Sequence, residues 1–251
     1  VKLDKAKSWW YQLQDHIRLD RAEDVIVMDI DKEPGPYRTK EDGTPRAVLA
    51  YLSIGEAEEY RAYWPLVHER KAGDGVVLFE NPDWPGNHAV KFWDNGWQAL
   101  MKSRVLEAKA KGFTGIYLDK ADVVWDIHQR LGDDYDFLLG QMAAFIIKLA
   151  SWEPDLDIVL QNCEDLLERG DVCRVLAATA HEDVLYGDPV DGKRNPHGQI
   201  HERLAACRQF QGPRFAVEYL DFHRDVRRAR TDLQFYGFVP LVRPLDRRLA
   251  A

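Results

Sequence analysis

Gly112-Phe113-Thr114-Gly115-Ile116-Tyr117-Leu118-Asp119-Lys120-Ala121-Asp122 is the stretch on which the fold of this chain is read. Gly112 has the position of a residue just past a helix end, where glycine alone takes the left-handed turn cheaply. Gly115 to Leu118 is a short apolar run of the kind found in parallel strands covered on both faces. Asp119 stands where that run stops. In a barrel of parallel strands, a carboxylate at the C-terminal strand end points into the active-site mouth.

The same unit recurs on either side. Upstream, Trp97, Leu100, Met101, Val105, Leu106 and Ala110 recur at helical spacing, with Asp94 or Asn95 as the cap. Strands are expected at 8–14, 24–31, 47–54, 89–94, 115–118, 157–162, 175–182 and 214–220, with a ninth extended run at 235–242. Residues 76–80 form a further short apolar run. A helix is expected through Glu59, Tyr60, Tyr63 and Trp64, and others at 135–152, 164–169, 200–210 and 224–234. Residues 32–46, 81–87 and 183–198 are rich in Gly, Pro and Asp and read as loops. Strands alternating with amphipathic helices over 251 residues predict an α/β fold, a single (β/α)8 TIM-barrel domain over 1–251. Nine strand candidates exceed the eight of a closed barrel, so one lies outside it or the register is displaced by one unit. An open doubly wound sheet is the alternative. No Gly-rich nucleotide loop follows any strand, which counts against a nucleotide fold.

The net charge of −8 disfavours nucleic acid, which requires a cationic surface, and suits a cationic partner. No apolar run approaches the ~18 residues of a membrane span. The opening residues, Val1 to Lys5, carry no leader. A leader removed upstream would make the protein secreted or periplasmic; otherwise a cytoplasmic location is expected. Cys163, Cys173 and Cys207 are three in number and lack metal-type spacing, so free thiols are expected. His68, His88 and His181 show no ligand spacing either, and neither a metal nor another cofactor is expected.

Strand ends supply Asp29, Asp31, Glu56, Asp94, Asp119, Asp122, Glu182 and Glu218. Glu56 and Asp94 also read as helix caps; irregular sequence follows Asp119 and Glu182, which weakens that reading for them. Two carboxylates across a cleft can break a glycosidic bond, one protonating the leaving oxygen and the other attacking the anomeric carbon or activating water. The acid requires a raised pKa, which apolar surroundings supply, and Glu182 follows the apolar run 175–180. Asp119 and Glu182 fall on strands two apart, about 10 Å at the backbone, a gap that converging side chains can narrow.

The chain resembles glycoside hydrolase family 114, the endo-α-1,4-polygalactosaminidase-related barrels. The resemblance rests on Trp10-Tyr11-Gln12-Leu13, Tyr51-Leu52-Ser53-Ile54-Gly55-Glu56-Ala57-Glu58, Asn81-Pro82-Asp83-Trp84-Pro85-Gly86-Asn87, Gly115-Ile116-Tyr117-Leu118-Asp119 with Asp122, Glu182-Asp183 and Gly237-Phe238-Val239-Pro240. It implies a (β/α)8 barrel that cleaves galactosamine-rich polysaccharide with retention, acting within the chain. It further implies Asp119 as nucleophile and Glu182 as acid/base. Glu218-Tyr219 stands where the resemblance leads one to expect Asp-Tyr.

A partly deacetylated galactosamine polymer is cationic, and an acidic rim would attract it. Asp29, Glu56, Asp122 and Glu218 are therefore expected to line its subsites, with a network holding strand ends as the alternative. Tyr11, Tyr51, Trp84 and Tyr219 are the expected sugar contacts, with Trp9, Trp10 and Trp93 as further rings that serve either sugar or core. The expected partner is a polysaccharide or oligosaccharide substrate bound by a monomer. A barrel that binds such a polymer without cleaving it, and a hydrolase with another substrate, are the competing functions.

Overall fold

Eight of the apolar runs pair side by side as parallel strands. The computed structural model describes residues 2–69, 75–187, 190–247 and 249. In chain order the strands are β1 (Trp9–Tyr11), β2 (Val25–Asp29), β3 (Ala47–Ser53), β4 (Glu56–Glu58), β5 (Val77–Glu80), β6 (Asn87–Val90), β7 (Gly115–Asp119), β8 (Asp157–Gln161), β9 (Ala178–Glu182), β10 (Arg214–Tyr219) and β11 (Val239–Arg243). The helices are α1 (Trp64–His68), α2 (Asn95–Lys111), α3 (Val123–Leu131), α4 (Tyr135–Trp152), α5 (Gly170–Cys173), α6 (His197–Cys207) and α7 (His223–Phe235).

The large sheet runs β1-β2-β3-β7-β8-β9-β10-β11, all neighbours parallel. β1 lies beside β11, and the Trp9 indole donates to the Val239 carbonyl at 3.0 Å across that seam. The fold is thus a (β/α)8 TIM barrel. The surplus strand candidate is the run 89–94. Its first two residues end β6, which pairs antiparallel with β4 and β5 in a separate three-stranded sheet, and Lys91 to Asp94 form a turn into α2. The helix expected from Glu59 begins only at Trp64: Glu56 to Glu58 form β4, and residues 59–63 turn out of it before the helix starts. Glu56 is therefore no helix cap, whereas Asp94 is: its Oδ1 accepts from the Gly96 and Trp97 amides. Gly112 closes α2 at φ 91°, in the left-handed region. α3 was hidden in the sequence inside the connection after Asp122. Residues 188 and 189 of the expected 183–198 loop lie outside the described residues.

The pleat sorts each strand into two series. Val25 and Val27, Ala47, Leu49 and Tyr51, Tyr117, Val159, Ala178 and Ala180, Phe215, Val217 and Tyr219 pack together inside the barrel with Trp9 and Tyr11. Their neighbours Ile26, Met28, Val48, Ala50, Leu52, Ile116, Leu118 and Leu160 face the surrounding helices. An offset of two along every strand is what a period of two residues demands. The inner layer is aromatic: the Tyr11 ring lies 5.2 Å from that of Tyr117, and Trp9 lies 5.3 Å from Phe215. The three cysteines are free, and no described helix is long and apolar enough to cross a membrane.

Trp9 fills the inner layer and spans the seam, so Trp9→Ala should cost about 3–5 kcal/mol in urea unfolding, the usual range for a buried large aromatic. A loss below about 1 kcal/mol would mean that the seam does not lean on this side chain.

Candidate active site

Followed to the C-terminal ends of the strands, the inward series changes from apolar to polar. Tyr11, Asp29, Asp119, Gln161, Glu182 and Tyr219 end six of the eight barrel strands, Tyr51 lies two residues before the end of β3, and all seven line one cavity of about 550 Å³. Asp119 and Glu182 lie on β7 and β9, with β8 between them.

Each carboxylate is held by a fixed set of donors. Tyr51 donates its hydroxyl to Asp119 Oδ2 at 2.6 Å, and the Lys120 amide donates to Oδ1 at 2.8 Å. Glu182 accepts from Gln161 Nε2 and Asn162 Nδ2 at Oε2 and from the Tyr219 hydroxyl at Oε1. The Glu182 amide in turn donates to Asn162 Oδ1 at 3.0 Å. Three polar donors, not the apolar surroundings expected from residues 175–180, therefore meet the Glu182 carboxylate. The carboxyl that is pushed up is Asp119, to about 7: burial is the main cause and the charge of Glu182 the next, while Lys120 and the Tyr51 hydrogen bond oppose them.

Three strand ends turn sharply out of the barrel. Lys120 follows Asp119 at φ 62°, Asn162 follows Gln161 at 56°, and Asp183 follows Glu182 at 54°. A left-handed residue other than glycine costs roughly 1–2 kcal/mol. Local bonds hold these turns. The Asp119 carbonyl accepts from the Ile54 amide at 3.0 Å, and the Asp183 carbonyl accepts from Asn195 Nδ2 at 2.8 Å and Arg203 Nη1 at 3.0 Å.

The remaining expected residues divide. Glu56, Asp122 and Trp84 line the cavity, and Trp84 is 50% exposed. Asp29 lines it too, but its carboxylate is paired with Arg61 at 2.7 Å, and Arg61 also binds Glu58 and Asp31. Glu218 belongs to the outward series and is not brought to the cavity. It is fully buried behind β10, where its two oxygens accept the Leu185 and Tyr186 amides, and burial pushes it up to about 8. Trp9 is core; the Arg21 and Arg243 guanidinium groups both lie over the Trp10 ring, at 3.3 and 4.2 Å.

The sequence reading missed Gln161 and Asn162, the donors to Glu182, although counting by twos from Val159 reaches Gln161. It also missed Lys120, Tyr60 and Arg247, all lining the cavity. Glu182, Asn162 and Asp122 line in addition a second cavity of about 740 Å³, whose other walls include Asp83, Trp125, Glu164 and Arg203. Glu164, His181 and Cys207 come together with their possible ligand atoms within 4.8 Å of one another. His181 is already hydrogen-bonded to Glu164 and Thr179, and Glu164 to Arg203, so this cluster reads as a bracing network behind β9.

A parallel barrel that presents two carboxylates in one mouth, on strands two apart, has the parts of a glycoside hydrolase. The chain belongs to glycoside-hydrolase family GH114, whose model matches residues 1–247. It is 31% identical to an uncharacterized protein of Methanocaldococcus jannaschii, over 96% of this chain and 76% of that protein. It is 30% identical to an uncharacterized protein of Deinococcus radiodurans, over 98% and 83%. Among solved structures it is similar to Aspergillus fumigatus Ega3 in complex with galactosamine, at TM-score 0.76 and 17% identity, covering 98% of this chain and 94% of that one. The glycoside hydrolase domain of PelA from Pseudomonas aeruginosa gives TM-score 0.76 and 20% identity, covering 98% and 97%.

With its pKa raised from 3.8 to about 7, Asp119 keeps in the folded protein a proton that the unfolded chain releases. Stability contributed by that proton is complete below about pH 4 and is lost as pH rises through about 7. Asp119→Asn should therefore raise Tm at pH 8 relative to the parent and leave it nearly unchanged at pH 4. An equal shift at both pH values would contradict the raised pKa.

Proposed function

We propose that this chain is an endo-acting, retaining hydrolase of α-1,4-linked galactosamine-rich polysaccharide. Asp119 is its nucleophile and Glu182 its acid/base. One observation carries the reading: Asp119 and Glu182 line one cavity, and the charge of Glu182 acts on Asp119. Membership of GH114 and the likeness to Ega3, solved with galactosamine, support the substrate class.

In the first step the Asp119 carboxylate attacks the anomeric carbon while the bond to the leaving oxygen breaks, and that oxygen takes the proton of Glu182. In the second, Glu182 removes a proton from water, the hydroxide oxygen bonds the anomeric carbon, and Asp119 leaves. Tyr51 fixes the attacking carboxylate; Gln161, Asn162 and Tyr219 fix the acid. Holding such groups in reacting geometry is a large part of what an enzyme contributes. Trp84 and Tyr60, exposed on the cavity wall, offer ring faces to sugars, and the second cavity that shares Glu182, Asn162 and Asp122 gives room for a chain cut internally. The negative net charge attracts a cationic polymer. One chain carries both carboxylates, so a monomer completes the site.

A barrel that binds the polymer without cutting it is the second reading. The raised pKa of Asp119 favours it, since a protonated carboxyl cannot attack.

Incubation with partly de-N-acetylated galactosaminan should release oligomers whose new reducing ends first appear by NMR as the α-anomer. Asp119→Asn and Glu182→Gln should each lower turnover by on the order of 10³-fold or more with the fold intact by circular dichroism. Full activity in either variant would refute the assigned roles. Polymer bound by the parent protein but never shortened would decide for the binding barrel.

A further inference from the structure

Two cavities meet at Glu182. Asp119 and Glu182 both line the first. The second, of about 740 Å³, shares Glu182, Asn162 and Asp122 with it but does not have Asp119 among its walls. The exit of β8 builds the boundary between them. Asn162 and Cys163 follow one another in the left-handed region, at φ 56° and 54°, and the Asn162 amide donates to the Ala180 carbonyl at 2.9 Å. This turn brings the Asn162 side chain onto Glu182 and then supplies Cys163 and Glu164 to the wall of the second cavity.

Another wall of the second cavity is aromatic. Trp125 on α3 and Tyr135 at the start of α4 both line it. Val123, Val124 and Ile127 are buried and seat α3 on the barrel, whereas Trp125 is 55% exposed. Its ring is nevertheless held in place. Tyr135 meets it in a T-shaped contact with centroids 5.9 Å apart, His128 lies at 5.9 Å, and the Tyr135 hydroxyl is anchored by donation to Asp165. A large ring that is fixed by its neighbours yet left half in water, on the wall of a cavity, has the form of a stacking platform.

A retaining hydrolase meets its substrate in a fixed order. The nucleophile stands at the anomeric carbon of the sugar under attack, and the acid stands at the oxygen that leaves. A cavity that shares the acid but not the nucleophile therefore lies on the leaving side. We infer that the second cavity receives the part of the polysaccharide on the reducing-end side of the cut, and that Trp125 is the ring on which a sugar of that part stacks. The fragment held there departs first, and the water of the second step then approaches Glu182 from the same side. This assignment rests on the hydrolase reading of Asp119 and Glu182, and a comparison of two substrates separates the two claims.

The test compares an α-1,4-linked galactosamine hexamer with the α-fluoride of the corresponding trimer, whose leaving fluoride occupies no sugar site. Trp125→Ala should lower kcat/KM on the hexamer about tenfold, the scale of one aromatic contact, mainly through KM, and leave hydrolysis of the fluoride within about twofold. Trp125→Phe, which keeps a ring, should recover most of the loss. Thermal melts establish that each variant folds; should Trp125→Ala fail to fold, Trp125→Leu, apolar but without a ring, carries the same test. A Trp125 that only packs α3 against α4 predicts a lower Tm with both substrates affected alike, and that result would overturn the inference. Unchanged hexamer kinetics in a folded ringless variant would also sink it, while cleavage by the parent would leave the hydrolase reading standing. A parent that turns over neither compound would overturn that reading and this assignment with it.

Discussion

Side chains in a strand alternate between two faces, and in this barrel that alternation decides which residues meet. Apolar and aromatic residues of the inward series close the barrel floor. Two residues further along each strand, the same series delivers Tyr11, Asp29, Tyr51, Asp119, Gln161, Glu182 and Tyr219 to one cavity. The site therefore depends on register. A slip by one residue in β9 would bury Glu182 among the helices and bring His181 inside. Glu218 illustrates the rule from the other side. It sits one residue short of Tyr219, so it faces outward and serves the backbone at Leu185 and Tyr186.

The second layer of organisation is the sharp exit of the chain after Asp119, Gln161 and Glu182. Left-handed residues that are not glycine are found where surrounding structure enforces them, and they gather at functional sites. Here the enforcement is visible. The Lys120 turn is gripped by Gly55 and Ile54, and the Asp183 turn by Asn195 and Arg203. His181 and Glu164, with Arg203, brace the outer side of β9. Burial alone would raise Glu164, but His181 and Arg203 hold it far below the usual carboxylate range, so the brace stays charged. Rigid strand ends of this kind keep two carboxylates in one cavity without letting them move apart to relieve their repulsion.

Much of this was legible in the residues themselves. The buried runs, the helix ending at Gly112 and the acid at the end of Gly115–Asp119 define the barrel and one of its two carboxylates without coordinates. The extra strand could not be placed, because Ala89 and Val90 are as apolar as barrel strands; only pairing with Glu56–Glu58 and Val77–Glu80 reveals a separate antiparallel sheet. Glu218 was misplaced because acidity at a strand end was weighed without parity. Gln161 and Asn162 were overlooked because amides carry no charge signal, though they hold Glu182. The pairing of Asp29 with Arg61, 32 residues apart in the chain, has no local trace in the sequence at all.

Electrostatics sets the state of the carboxylate pair. Burial and the nearby charges of Glu182 and Asp122 hold a proton on Asp119 up to about pH 7 in the free protein. A nucleophile must lose that proton. On the proposed hydrolase reading, a cationic ligand near Asp119 would act on it in the opposite sense to Glu182 and Asp122, and so favour the carboxylate, whereas a neutral sugar would displace water without supplying that charge.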